Sequence, residues 1–287
     1  MSIPTQNEGA APTAKNRSLS YIDFINGESA TPVVRQVEEQ LGMSIRILPA
    51  QHDCSGPKED QAIEIFNAKW ADCGRLWSPA YLRAKNILVP LVAPVIRWPN
   101  GEVSESPSYT SDMIVREDSD IHCFEDLKGR VFAYNDDVSL SGYVCLKIWM
   151  YINYYEHDDD AARMPFFKTG LRSGGHSQSM LHILNKQADC AVIDRVTRTV
   201  LMRENPGKFD GLRVLEDVII GTFPGQPVCV AKHVPPEQRA NIQRAFLNIT
   251  DERVLSPLQF LKYCPVDEHF YDDLEEWIRW SRCVRLY

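Results

Sequence analysis

The chain has 287 residues, 44% hydrophobic and 24% charged, the proportions of an ordinary globular protein with room for one large or two modest domains. With 31 Lys and Arg against 39 Asp and Glu, its net charge is −8, which excludes a broad nucleic-acid-binding face. No apolar run reaches the ~18–20 residues that cross a bilayer, so no transmembrane segment is expected.

Residues 1–17 are polar, lack the apolar stretch of a secretory signal, and are expected to form a disordered leader on a cytoplasmic chain. Apolar periods then alternate between strand and helix, which predicts an α/β fold. Strands are expected at 18–25 and 45–48, with a helix between them starting at a Thr31 cap followed by Pro32. A helix over 61–70 leads to a loop and short turn over 74–81, and 89–98 is extended. After a Pro-, Ser- and Glu-rich linker at 99–108, strands at 112–115, 131–134, 166–171 and 190–193 alternate with helices at 123–127, 142–155, 176–186 and 195–203. Further strands are read at 212–215 and 228–231, and the tail from Pro235 as three helices broken at Ser256-Pro257 and Cys264-Pro265.

No two of the eight cysteines are two to four residues apart. The chain therefore carries no zinc knuckle or CxxC pair, and buried free thiols are expected. No metal or cofactor is expected.

Three segments that follow strands could carry chemistry, because ligands of open α/β sheets collect at strand carboxyl ends. In Asn135-Asp136-Asp137-Val138-Ser139-Leu140-Ser141-Gly142, two hydroxyls and the amides of a helix start could cradle an anion, or a serine could simply cap the helix. In Ser173-Gly174-Gly175-His176, two glycines permit close backbone approach and His176 is a switchable donor. Asp194, after Cys190-Ala191-Val192-Ile193, could hold a ligand amine, orient His176, or cap the next helix. A Ser-His-Asp hydrolase is disfavoured, since the nucleophile-elbow pattern G-x-S-x-G is missing.

Tyr109-Thr110-Ser111-Asp112-Met113-Ile114-Val115, Phe124-Glu125-Asp126-Leu127-Lys128-Gly129-Arg130 and Ser139-Leu140-Ser141-Gly142-Tyr143 occur in that order. Ser173-Gly174-Gly175-His176 and Ala188-Asp189-Cys190-Ala191-Val192-Ile193-Asp194 follow them. Together they resemble the substrate-binding proteins of phosphate, phosphite and phosphonate ABC transporters. The resemblance implies an α/β, two-lobed type II periplasmic-binding-protein fold with two hinge crossings and a C-terminal helical segment. Lobe one would span 18–108 plus 217–287, and lobe two 109–216. It implies ligand contacts from Tyr109, Ser139, Ser141, Gly142, His176 and Asp194, with Trp77 and Tyr81 as an aromatic wall. Leu140 departs from the family's Ser-Thr-Ser-Gly pattern and removes one hydroxyl.

The function expected is non-catalytic binding of a small phosphate- or phosphonate-like oxyanion, with His176 donating most strongly when protonated. The alternative is a cytosolic enzyme on the same scaffold, with His176 and Asp194 as acid and base. A transporter permease is not expected as partner of an unexported chain. The aromatic face around Trp277 and Trp280 is expected to pack against lobe one.

Overall fold

The computed structural model describes residues 18–23, 27–48, 58–98, 101, 103–104 and 106–287. The expected leader 1–17, with the reading of location that rests on it, and Cys54 lie outside these residues. The chain runs through β1 (Leu19–Asp23), α1 (Thr31–Leu41), β2 (Ile45–Leu48), α2 (Lys58–Asn67), β3 (Cys73–Arg75), α3 (Ser78–Ala84) and β4 (Leu88–Ile96). It continues through β5 (Ser108–Arg116), β6 (Val131–Tyr134), α4 (Cys145–Trp149), α5 (Asp159–Ala162), β7 (Thr169–Arg172), α6 (His176–Leu184), β8 (Cys190–Asp194), α7 (Arg195–Glu204) and β9 (Leu212–Pro224). The last elements are β10 (Val228–Ala231), α8 (Pro236–Leu247), α9 (Glu252–Leu255), β11 (Phe260–Pro265) and α10 (Asp272–Trp280).

The strands form two sheets, ordered β11-β4-β10-β3-β1-β2 and β7-β6-β8-β5-β9. In the first, β1 pairs in parallel with β2 and β3, so α1 and α2 cross over the sheet. Thr31 is the first residue of α1 and not its cap. Pro sits in the first turn, where no N–H is needed, and Gly42 ends the helix at φ 60. In the second sheet, β6 pairs in parallel with β7 and β8, while β5 pairs antiparallel with β8 and β9. The chain passes between sheets after β4 and after β9, the two hinge crossings of a two-lobed binding-protein fold.

Three segments differ from the expectation. β9 remains in the second sheet as far as Pro224, pairing there with Ser108, so lobe two continues beyond residue 216. Phe260–Tyr263, read as helix, and Cys264-Pro265, read as a break, form one strand along β4 from Phe260–Ile96 to Pro265–Val92. A left-handed Gln259 (φ 60) stops the preceding turn, Phe260 and Tyr263 face the core, and Pro265 is tolerated because β11 is an edge strand. The stretch read as loop at 74–81 supplies β3 and α3.

One apolar cluster crosses the lobe boundary, joining Ile22 and Tyr81 to Leu140, Phe132 and Leu146. Trp277 and Trp280 pack against it. Lys85 of lobe one pairs with Glu275 of α10 at 2.6 Å. The following residues lie on lobe two: Phe167 N donates to Leu286 O at 2.7 Å, and Tyr287 Oη donates to Tyr134 Oη at 2.8 Å. The tail therefore makes a third passage between the lobes.

Candidate functional site

The parallel strands of the second sheet end on one side, and their loops hold one another. Ser173 N donates to Tyr134 O at 2.8 Å and Gly174 N to Asn135 O at 2.9 Å. Gly174 takes φ +82, a left-handed turn that favours glycine, and thereby brings His176, first residue of α6, over the loop after β6.

There the helical segment 140–154 begins, with wide π turns at both ends of α4. Ser139 is its cap: its Oγ accepts from Gly142 N at 3.3 Å and from Asn135 Nδ2 at 2.9 Å. Ser141 Oγ lies 3.0 Å from His176 Nε2, and Asn135 Nδ2 lies 3.5 Å from the same nitrogen. An amide NH₂ can only donate, so Nε2 acts as acceptor and the ring proton resides on Nδ1. Nδ1 is sealed from solvent and has no acceptor among the described residues. Burial lowers the His176 pKa to about 4, so the ring is neutral at neutral pH. The donation expected of a charged His176 therefore falls to its neutral Nδ1–H.

Asp194 does not meet His176. It caps α7, accepting from Thr197 N at 2.7 Å, and burial raises its pKa. The acid–base pair of the enzyme alternative is thus not assembled. Asp194 and Tyr109 instead line a cavity of about 70 Å³ between the sheets, shared with Thr197, Arg75, Gln226 and Phe260. Burial, and next the Asp194 charge, raises the Tyr109 pKa and keeps its hydroxyl protonated. The two groups adjoin through Cys145, whose thiol donates to Ser141 O at 3.3 Å. Cys145 also feels the charge of Asp194 and lies near Ser111, which pairs with Asp194 across β5 and β8.

Trp77 and Tyr81 are not among the residues lining this cavity. Trp77 precedes α3 and is half-buried against the core. Tyr81 is fully buried, edge-on to Tyr271 at 4.9 Å, and acts in packing.

Arg75 is the residue that sequence reasoning missed. It ends β3 and is only 4% exposed. Nη2 donates to Gln226 Oε1 at 2.6 Å, and the guanidinium lies 4.7 Å over the Phe260 ring. Nε and Nη1 are buried with no acceptor among the described residues. Such unmet donors cost about 1–3 kcal/mol each, more when charged, so the cavity is preorganised for an acceptor. The available signal was position: a charged residue at a strand's carboxyl end, just ahead of Trp77-Ser78-Pro79.

Residues 27–271 match the family model described as the phosphonate periplasmic substrate-binding protein of ABC transporters. The chain belongs to this phosphonate-binding family. A binding protein component of an ABC phosphonate transporter from Pseudomonas aeruginosa superposes with TM-score 0.70 at 20% identity, covering 93% of this chain and 87% of that one. PhnD1 from Prochlorococcus marinus, in complex with methylphosphonate, gives 0.69 at 13% identity over 91% and 97% of the two chains. XAC2383 from Xanthomonas citri, bound to chloride ion, gives 0.68 at 15% identity over 92% and 97%. These likenesses show a shared two-lobed fold. Within the phosphonate-binding family pattern, Leu140 does not leave a gap where a hydroxyl is missing. Its side chain is buried in the cluster that joins the lobes.

Proposed function

We propose that this member of the phosphonate-binding family binds a small phosphate- or phosphonate-type oxyanion between its lobes, at the start of segment 140–154. The observation that carries the reading is His176 Nδ1, a buried donor without a partner among the described residues, on a ring beside the Ser139–Ser141–Gly142 helix start. The first N–H groups of a helix have no intrahelical acceptor and favour negative charge. Ser139 Oγ already accepts two bonds, leaving its proton free to donate. Charge-assisted bonds of this kind contribute about 1.5–3 kcal/mol each. After association costs, two or three of them correspond to micromolar to millimolar dissociation constants.

The test is calorimetric titration of the full chain with methylphosphonate, phosphate and sulfate. A saturable heat with a phosphorus oxyanion, lost in Ser139→Ala, supports the reading. Absence of heat with all three at millimolar concentration overturns it.

A further inference from the structure

The cavity beneath the helix start holds two charges that do not meet. Arg75 enters from lobe one and Asp194 from lobe two, both lining the same space of about 70 Å³, and no ion pair joins them. Of the five N–H bonds of a guanidinium, the one on Nε and the two on Nη1 lack acceptors among the described residues. Asp194, also lining the cavity, is held among the described residues by Thr197 alone, through its backbone N at 2.7 Å and its side chain. A simple anion placed here would satisfy Arg75 and meet repulsion from Asp194. A simple cation would do the reverse. A group carrying both an anion and an ammonium satisfies both walls. The space, about twice a water's share of ~30 Å³, suits the compact charged end of an amino acid.

Cys145 links this cavity's wall to the helix start: its thiol donates to Ser141 O at 3.3 Å, and it feels the charge of Asp194. We infer that the cavity is a second subsite that receives the amino-carboxylate end of the ligand, with Arg75 on the carboxylate and Asp194 on the ammonium. This rests on the oxyanion reading above, and it makes the ligand class an α-amino acid bearing a distal phosphonate or phosphate. Tyr109, which shares the cavity wall with Asp194, is the neutral donor at the junction of the two ends. Arg75 is therefore a specificity residue: it separates ligands that carry a carboxylate from those that carry only an amine and a phosphonate.

The experiment compares four probes on the full chain by calorimetry: phosphonoalanine, aminoethylphosphonate, phosphonopropionate and methylphosphonate. Phosphonoalanine should bind at least about 10-fold more tightly than aminoethylphosphonate, the loss of one charge-assisted contact. Arg75→Gln should abolish that difference, and Asp194→Asn should abolish the advantage of phosphonoalanine over phosphonopropionate. Arg75→Lys keeps a charge while removing the fork of donors, and should lose the same discrimination with the fold intact by circular dichroism. Arg75→Gln gives up the bond to Gln226 and the stacking on Phe260, so its binding is to be read only where circular dichroism and the melting transition show a folded chain. Equal binding of phosphonoalanine and aminoethylphosphonate, or discrimination that survives in both Arg75 variants, overturns the subsite. If methylphosphonate binds and Ser139→Ala abolishes it while the probes are not discriminated, the oxyanion reading stands and the subsite falls. If no phosphonate binds, both fall.

Discussion

Ser141 Oγ sits 3.0 Å from His176 Nε2, and by donating to this acceptor nitrogen it supports the ring with its proton on Nδ1. Removing the hydroxyl leaves only the 3.5 Å approach of Asn135 to hold the tautomer, a separation at the edge of hydrogen bonding. Ser141→Ala should therefore weaken oxyanion binding by roughly 10–100-fold, about 1.5–3 kcal/mol. His176→Asn should produce a loss of similar size without adding to that of Ser141→Ala. Titration of the single and double variants measures this coupling, and additive losses would show that the two side chains act separately.

His176 also predicts how stability follows pH. Its folded pKa is held at about 4 by burial, below the usual 6.5. The stability associated with the neutral ring is complete above about pH 6.5 and is lost as pH falls through 4, because the unfolded chain takes up the proton first. The full effect is about 3 kcal/mol. Urea midpoints measured at pH 7 and pH 4.5 should fall further in wild type than in His176→Gln. Parallel pH profiles would place the ring in a solvated setting.

Leu140 stands where the family pattern has threonine, so Leu140→Thr looks like a repair. The structure predicts the opposite. The leucine is 3% exposed in the cluster that joins the lobes, and a hydroxyl placed there without a partner costs about 1–3 kcal/mol. Leu140→Thr should lower the unfolding midpoint and leave oxyanion affinity no better than wild type. A gain in affinity would mean that residue 140 faces the ligand.

Gly142 packs directly against the Asn135 amide, and a methyl group there would occupy the amide's place. Gly142→Ala should displace Asn135, break its bond to Ser139 and cost both stability and affinity. Combining it with Asn135→Ala removes the obstruction, so chemical unfolding of the double variant should recover part of the stability. Oxyanion affinity should stay low, because Ser139 has lost its donor.

The alternation of strand and helix from β1 through β8 was legible in the sequence because each element buries enough apolar residues to impose its period. β3 was not. Cys73-Gly74-Arg75 is too short to alternate, and Gly74 is present because a side chain there would strike the backbone of Ile22. β11 reads Phe-Leu-Lys-Tyr-Cys-Pro, an apolar run that periodicity alone cannot assign to strand or helix. The helix-start serines, His176 and Asp194 were visible as loop residues, but their partners were not. For Asp194 the sequence left open a ligand amine, His176 or a helix cap, and the cap is what forms, with Thr197 N on the carboxylate. A lone arginine reads as surface, so Arg75 became visible only when both lobes closed over it.

The anchorage of residues 284–287 bears on time more than on strength of binding. Val284 and Leu286 are buried, and Gly170 lacks a side chain where the Tyr287 ring lies. Two hinge strands alone would let the halves swing like a book. A third attachment adds a clasp to that hinge. If opening has to undo it, release of a captured molecule should follow the detachment of Tyr287 from Tyr134 more than its affinity. Retention becomes a property of the rim of the molecule, adjustable at Gly170 without altering any atom that touches the cargo.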